Sequence, residues 1–506
     1  MQGIPKPHGC ACCGMSRRCF LNGASMLPAA ALAGTGLSSL ARAQGADAKG
    51  LGEYIDLASF RPKPKVRIMN VVVRQKLPYW LGWPGTSYDV AGKDKEYSGF
   101  IAKSAARLGI GLEREPAALE TPEAVESYVR KVQTEKPDAV LVQIQHMASW
   151  KMVEKIAADG GVPTIVFAPI GMSFTGHVLK ISRQPGVYVI SSLETSALEQ
   201  AMRMVRAKKQ FAESRLLVVA GKERKEETLD LLGTKVRRIP RSSLNELFAK
   251  MPETDEAREV ARKMRRQAKK IVEPSEKDTL NAARSFMTAK RLLREEESNG
   301  LTTDCLGMVH TKVMPTPPCM AATLFQDAGI TYGCEADVFG AISLMFTSYL
   351  FDKPGFMNDP VPETVKNLLI TAHCVSPTLL NGFGKPAEPY ILRSHSESNI
   401  GVSLQVLWRE GQPVTLVRFK SPTELILDTG KVVANVDTPP AGGCRTNFEI
   451  AMDRVEDARD VLGFHQVVFY GNHRRDVEAF CQMYGIKVVH SPEHAPEIGS
   501  TAPKPA

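Results

Sequence analysis

At 506 residues the chain is too long for a single core and is expected to form two to four domains. Its composition, 43% hydrophobic and 24% charged, excludes disorder on a large scale. The formal charge of +9 overstates any preference for acidic partners, because residues 1–43 hold Lys6, Arg17, Arg18 and Arg42 and no acid. No basic stretch alternates with aromatics, and the basic run at 258–270 is interleaved with apolar residues at helical spacing, as on a solvated helix face, so nucleic acid is not expected as a partner.

The N-terminus reads as an export leader. Ser16-Arg17-Arg18-Cys19-Phe20-Leu21 fits the twin-arginine pattern, an Ala-rich apolar stretch covers 26–40, and Ala41-Arg42-Ala43 forms a small-x-small cleavage site. Pro28, Gly34 and Gly36 make that stretch too short and too weakly apolar for a stable transmembrane helix. Residues 1–43 are therefore expected to be a signal peptide handled by the twin-arginine translocase. The mature chain is expected in the periplasm or another extracytoplasmic space, with no membrane span. Four of the ten cysteines lie in the leader. The other six (Cys305, Cys319, Cys334, Cys374, Cys444 and Cys481) show no C-x-x-C spacing and read as small core residues, with one bridge open to them in an oxidising compartment.

Along the mature chain, residues 44–65 read as a linker containing Arg61-Pro62-Lys63-Pro64-Lys65. A first α/β domain is expected at 66–210, with strands at 66–73, 139–144, 162–167 and 187–190 and helices at 95–108, 122–134, 150–158 and 195–207. No G-x-G-x-x-G follows the first strand, so a dinucleotide is not indicated. A second α/β domain at 211–382 opens with a strand at 216–220. Helices at 255–272 and 275–297 follow, separated by Pro274, and a further helix at 338–349. Beyond Gly382 the texture becomes antiparallel β, with strands at 402–408, 414–419 and 424–428 and turns at Glu410-Gly411 and Thr429-Gly430. This C-terminal domain, 383–492, ends in a strand at 466–470, a helix at 474–484 and a strand at 486–489, and residues 493–506 read as a disordered tail. The expected class is α/β: two Rossmann-like parallel-sheet domains, then an antiparallel β-barrel-like domain with a closing β-α-β element.

Three residues stand out for chemistry. Glu335, in Gly333-Cys334-Glu335-Ala336-Asp337, ends an apolar segment just before a helix, where acids at the carboxyl end of a strand face the ligand crevice. Asp359 follows one helix later, and His465 begins a strand after Gly463-Phe464. Two carboxylates and an imidazole suit a Mn²⁺-type ion with positions left open for substrate. Taken alone, these residues fit plainer roles equally well: Asp337 as a helix cap, Asp359 as a turn residue before Pro360, His465 as a core histidine.

The segment Tyr332-Gly333-Cys334-Glu335-Ala336-Asp337-Val338-Phe339-Gly340-Ala341 resembles a stretch of L-fucose isomerase. His465-Gln466-Val467-Val468-Phe469-Tyr470-Gly471-Asn472-His473, with the helix and strand after it, resembles that family's closing element. The similarity to the L-fucose/L-arabinose isomerase superfamily spans roughly 301–490. It implies a metal-dependent interconversion of an aldose and a ketose through an enediol, in a homo-oligomer. Glu335 and Asp359 would be acid/base groups and metal ligands, His465 the third ligand, and Mn²⁺ the expected ion. The family's sugar-contacting residues from the N-terminal domain have no counterpart matched here. By position, Trp83, His373, His395, Arg445 and Asn447 are candidates to contact a sugar. A non-catalytic extracytoplasmic sugar-binding protein, or an epimerase or lyase on the same metal site, are the alternatives.

Export is expected to depend on the arginine pair. Arg17→Lys with Arg18→Lys should abolish leader processing in a fractionation assay, and unchanged processing would remove the twin-arginine reading.

Overall fold

The computed structural model describes residues 50–312, 314–439 and 443–492. The leader with its cleavage site, and the tail from 493, lie outside the described residues.

The first layer holds strands β1 (Val66–Val73), β2 (Ile110–Arg114), β3 (Ala139–Ile144), β4 (Thr164–Ala168) and β5 (Val187–Ser191), all parallel, in the order β2-β1-β3-β4-β5. Near-continuous apolar strands of this kind need cover on both faces. Helices α1 (Val90–Leu108) and α5 (Ser196–Glu213) meet the face carrying Ile68, Leu141 and Phe167. Helices α2 (Pro122–Glu135) and α3 (Trp150–Asp159) meet the face carrying Met69, Val140 and Val142. A short helix, α4 (Thr175–Ile181), follows β4. Helix starts are set by side chains that satisfy free backbone N–H groups: Asp89 accepts from Gly92 N, and Thr121 from Ala124 N ahead of Pro122.

The second layer contains β6 (Arg215–Val219), β7 (Lys225–Thr228), β8 (Lys235–Ile239), β10 (Gly300–Thr303) and β11 (Tyr332–Gly333), ordered β11-β10-β6-β8-β7. Only β7 runs antiparallel. Its helices are α6 (Ser242–Lys250), α7 (Asp255–Gln267), α8 (Glu276–Glu295), α9 (Cys305–His310), α10 (Cys319–Asp327) and α11 (Val338–Phe351). Ser275 and Asp278 form a reciprocal capping box at the start of α8. A two-residue strand, β9 (Lys270–Ile271), leaves this layer to pair with a later one.

The third unit is a closed six-stranded antiparallel barrel. Strands β12 (Phe356–Glu363), β13 (Leu368–His373), β16 (Pro413–Ser421), β17 (Glu424–Asn435), β18 (Thr446–Met452) and β19 (Gln466–Tyr470) run in the order β16-β19-β12-β13-β18-β17, and β17 pairs back to β16. Closure leaves no free edge. Strands β14 (Tyr390–Arg393) and β15 (Ser403–Val406) form a small separate sheet with β9. Helix α12 (Arg474–Tyr484) returns the chain to β20 (Lys487–Val489), which adds to β17 in parallel.

Several expectations shift. From residue 50 on, the stretch read as a linker is docked: Arg61 Nη2 donates to Ser348 O and Asp352 Oδ1, and Gln210 Nε2 to Pro62 O. The barrel starts at Phe356, so β12 and β13 come from the span assigned to the second α/β domain. The strand expected at 402–408 belongs to the small sheet instead. The helix expected at 255–272 stops at Gln267, because Lys269 and Val272 donate to Tyr390 and Leu392 carbonyls on a strand remote in sequence. Thr429-Gly430 lies inside β17 rather than in a turn. A Cβ at Gly430 would meet Ala451 O at 2.6 Å, so glycine there permits close approach of β18.

Helix α11 joins the layers. All but its first two residues are buried, and it packs against α5, β11, β16 and β19. Phe346 meets Phe351, Phe419 and Phe480 edge-on at ring centroid distances of 6.1, 5.7 and 5.2 Å. Phe346→Ala should lower stability by about 3–5 kcal/mol, read as a reduced urea midpoint for the barrel. An unchanged midpoint would mean α11 is not what couples the barrel to the α/β layer.

Candidate functional site

Glu335 is delivered by the α/β layer. Beyond the end of β11, Thr302 Oγ1 donates to Cys334 O, and Ala336 N donates to Thr303 O. Between these anchors Glu335 and Ala336 both adopt left-handed backbone, φ 55° and 56°. That conformation costs non-glycine residues about 1–3 kcal/mol each, and it persists where the surroundings over-determine it. Asp337 then caps α11 by accepting from Gly340 N at 3.0 Å.

The barrel supplies the rest. The β12–β19 register pairs Asn358 with Gln466, so Asp359 and His465, the next residue of each strand path, come side by side. On the other flank of β12, Asp359 pairs with Ala372, which places His373 at the end of β13 beside them. His465 is a further left-handed residue, φ 53°. The three residues singled out in the sequence do converge: His465 Nε2 lies 3.3 Å from Glu335 Oε2 and 3.2 Å from Asp359 Oδ1.

Asp337 has more than a capping role. Its carboxylate accepts the His465 Nδ1–H at 2.9 Å and both Arg418 Nη groups, at 2.5 and 3.1 Å. Although burial opposes it, these partners hold the Asp337 carboxyl well below the ordinary carboxylate range. Burial also opposes protonation of His465, yet Asp337, Asp359 and Glu335 together push its imidazole up to about 11. Three carboxylates face one guanidinium here, so the group is built to receive positive charge.

The unpaired atoms point the same way. Asp359 Oδ1, His465 Nε2 and His373 Nε2 are buried without a hydrogen-bond partner. Orphaned buried polar atoms are costly unless something satisfies them. An imidazole that donates its other N–H to a carboxylate is the usual arrangement of a metal-bound histidine. The residues present therefore fit a divalent ion. Potential ligand atoms of Glu335, His373 and His465 also lie within 4.8 Å of one another. However, His373 Nδ1 already accepts Cys374 N–H at 2.9 Å, which leaves the neutral ring's proton on Nε2. His373 is thereby a donor facing the site, and Asp359 is the better third ligand.

Glu335, Asp359, His373 and His395 line one small cavity of about 30 Å³. The other candidates are elsewhere. Arg445 is buried and spends its guanidinium on Ser394 and Thr438. Asn447 bonds Thr438 Oγ1 and Cys444 O, so both residues brace the 394–447 loops. Trp83 sits after β1 in the first layer, half exposed, with its ring 4.9 Å from that of Phe174. None of the three is among the residues lining the cleft.

The sequence reading missed the sulfur. Cys305, Cys319, Cys334, Cys374 and Cys444 all line the cleft, and Cys305 Sγ is 3.1 Å from Cys334 Sγ. Their separation in the chain hid this convergence, although all five fall between 305 and 444, within the span of the resemblance. Glu397 also lines the cleft, and the Arg418–Asp337 pair carried no local signal at all.

Replacing Asp337 with Asn keeps a capping oxygen but removes the charge that orients His465. Mn²⁺ affinity should fall about 10–100-fold, measured by calorimetry, and an unaltered affinity would separate Asp337 from the site. The pH dependence has a defined sign. The folded-state imidazole titrates above its ordinary value of 6.5, so its contribution to metal-free stability is full below pH 6.5 and is lost as pH rises through about 11. Binding an ion at Nε2 displaces that proton, so Mn²⁺ affinity should rise about tenfold per pH unit between about pH 7 and 9. A flat profile would take His465 out of the ligand set.

No family model and no curated protein matches the sequence. Among solved structures, the chain aligns with an ABC transporter solute-binding protein from Burkholderia multivorans, crystallised with an unknown ligand. The match has 10% identity over 50% of this chain and 86% of that one. At a TM-score of 0.18 this likeness bears on neither fold nor function.

Proposed function

We propose that the protein is a metal-dependent sugar isomerase that interconverts an aldose and a ketose, as the resemblance to the L-fucose/L-arabinose isomerase superfamily implies. The observation that supports this best is the meeting of Glu335, Asp359 and His465, with His465 Nε2 3.3 Å from Glu335 Oε2 and 3.2 Å from Asp359 Oδ1, beside a small cavity that Glu335 and Asp359 line. Glu335, Asp359 and His465 would hold the ion, with Mn²⁺ the expected occupant. When bound, such an ion supplies Lewis-acid stabilisation of negative charge on adjacent sugar oxygens.

The remaining work falls to the chain. Isomerisation moves one proton between neighbouring carbons. Glu335 and Asp359 come from different layers and share the cleft, so one removes the proton from carbon and the other returns it. His373 Nε2–H donates to a sugar oxygen, a role set by the backbone N–H that its Nδ1 accepts. Asp337 keeps the His465 Nε2 lone pair directed at the centre. His395 contributes to the cleft wall. In this reading the protein acts outside the cytoplasm after twin-arginine export, as a homo-oligomer.

The test is incubation with a panel of aldoses and Mn²⁺ in D₂O, followed by NMR of the product. Deuterium at the carbon beside the new carbonyl is expected. Glu335→Gln and Asp359→Asn should each cut turnover by about 10²–10⁴-fold, while His465→Gln should respond partly to excess metal. Sugar binding with neither isomerisation nor deuterium uptake would replace this proposal with a non-catalytic receptor.

A further inference from the structure

Two thiols meet where two parallel strands end. β10 and β11 pair with Leu301 opposite Tyr332 and Thr302 opposite Gly333, so both chains leave the sheet at the same edge. Cys334 directly follows β11, and Cys305 is the first residue of α9, one position after its cap Asp304. Neighbouring strands lie about 4.8 Å apart, within the Cα separation of about 4.4–6.8 Å that a disulfide spans. Hydrogen bonds pin both exits: Asp304 N donates to Val219 O, Thr302 Oγ1 to Cys334 O, and Ala336 N to Thr303 O. Held in this way, Cys305 Sγ and Cys334 Sγ lie 3.1 Å apart, although 29 residues separate them along the chain. A covalent S–S bond of about 2.05 Å is only about 1 Å shorter.

The pair is buried but within reach of a small reagent. Cys305 is 6% and Cys334 3% exposed, and both line the small cavity beside Glu335. Leu306 and Glu397 line it too and are exposed, so its rim lies at the surface. Its volume of about 30 Å³ admits a water-sized molecule and no bulky one. Packing as small core residues accounts for neither the sulfur–sulfur contact nor the shared cavity. Position gives the contact a consequence. The Cys334 carbonyl anchors the left-handed turn that carries Glu335, and Cys305 opens the helix that gives Leu306 and Val309 to the cavity wall.

We propose that Cys305 and Cys334 are a modification site, a thiol pair that hydrogen peroxide oxidises to a disulfide stapling α9 to the Glu335 turn. Peroxide first converts one thiol to a sulfenic acid: an O–O and an S–H bond break, an S–O bond forms, and water leaves. The second sulfur then displaces the sulfenic hydroxyl, which departs as water with the second thiol proton. One S–S bond has formed, and two electrons have passed from sulfur to the peroxide oxygens. A thiol reductant reverses the step by exchange. The chemistry of the pair is independent of metal occupancy and of the isomerase reading.

The test uses the purified full chain, reduced, freed of reductant and treated with one equivalent of hydrogen peroxide. Differential alkylation, read peptide by peptide, should show loss of the Cys305 and Cys334 thiols. A non-reducing digest should yield a linked peptide pair whose fragmentation places the bond between these two residues, and dithiothreitol should restore both thiols. Amide hydrogen exchange in 304–311 and 332–337 should slow in the oxidised chain and recover on reduction. Cys305→Ala and Cys334→Ala should each abolish the link and the change in exchange, whereas Cys481→Ala, whose sulfur does not line the cavity, should keep both. The first readouts need no variant, so they decide the matter even where an alanine variant does not fold. Retention of both thiols, a bond from either residue to Cys319, Cys374 or Cys444 instead, or exchange unchanged by oxidation would each overturn the proposal. Failure of the isomerase reading would instead appear as absent turnover with the disulfide still forming.

Discussion

One carboxylate ties the molecule together. Asp337 ends the left-handed turn that carries Glu335, caps the helix that joins the α/β layer to the barrel, and accepts two N–H groups from Arg418 of barrel strand β16. It also accepts the Nδ1–H of His465. Helix start, inter-layer contact and histidine orientation thus rest on four lone-pair positions of a single side chain. A buried ion pair of this kind is weak evidence for stability, since desolvation offsets much of its attraction. Its value lies in geometry: it fixes where the helix N-terminus meets the barrel, to within the reach of a hydrogen bond.

The architecture divides labour around that contact. The doubly wound layers place acids at the carboxyl ends of parallel strands, where chain reversals leave a crevice. The barrel, having no edges, holds β12, β13 and β19 in rigid register and so sets the spacing of Asp359, His373 and His465. Neither element completes the cleft alone. Glu335, Ala336 and His465 all adopt left-handed backbone at this junction, where packing on both sides can hold such strain.

The same convergence explains the electrostatics. Three carboxylates within reach of one imidazole and one guanidinium would repel one another in the absence of positive charge, and the proton held tightly by His465 is the metal-free protein's answer.

What the sequence determined by itself is largely local. β1, β3, β19 and α12 begin and end where the apolar periodicity places them, because a strand buried on both faces and a capped amphipathic helix are written in adjacent residues. Glu335, Asp359 and His465 were legible for a similar reason: each stands at the junction of an apolar element and a turn, in segments that resemble a known family. Tertiary structure decided what no neighbouring residue encodes. β9 became a strand only because Tyr390 and Leu392 offered it carbonyls, and Gly430 stayed in a strand because β18 approaches too closely for a side chain. Arg445 and Asn447 turned inward to brace loops. Arg418 found Asp337, and five cysteines spread over 140 residues came to one wall. In each case the partner is distant along the chain, and only the packing of layers brings the two within bonding distance.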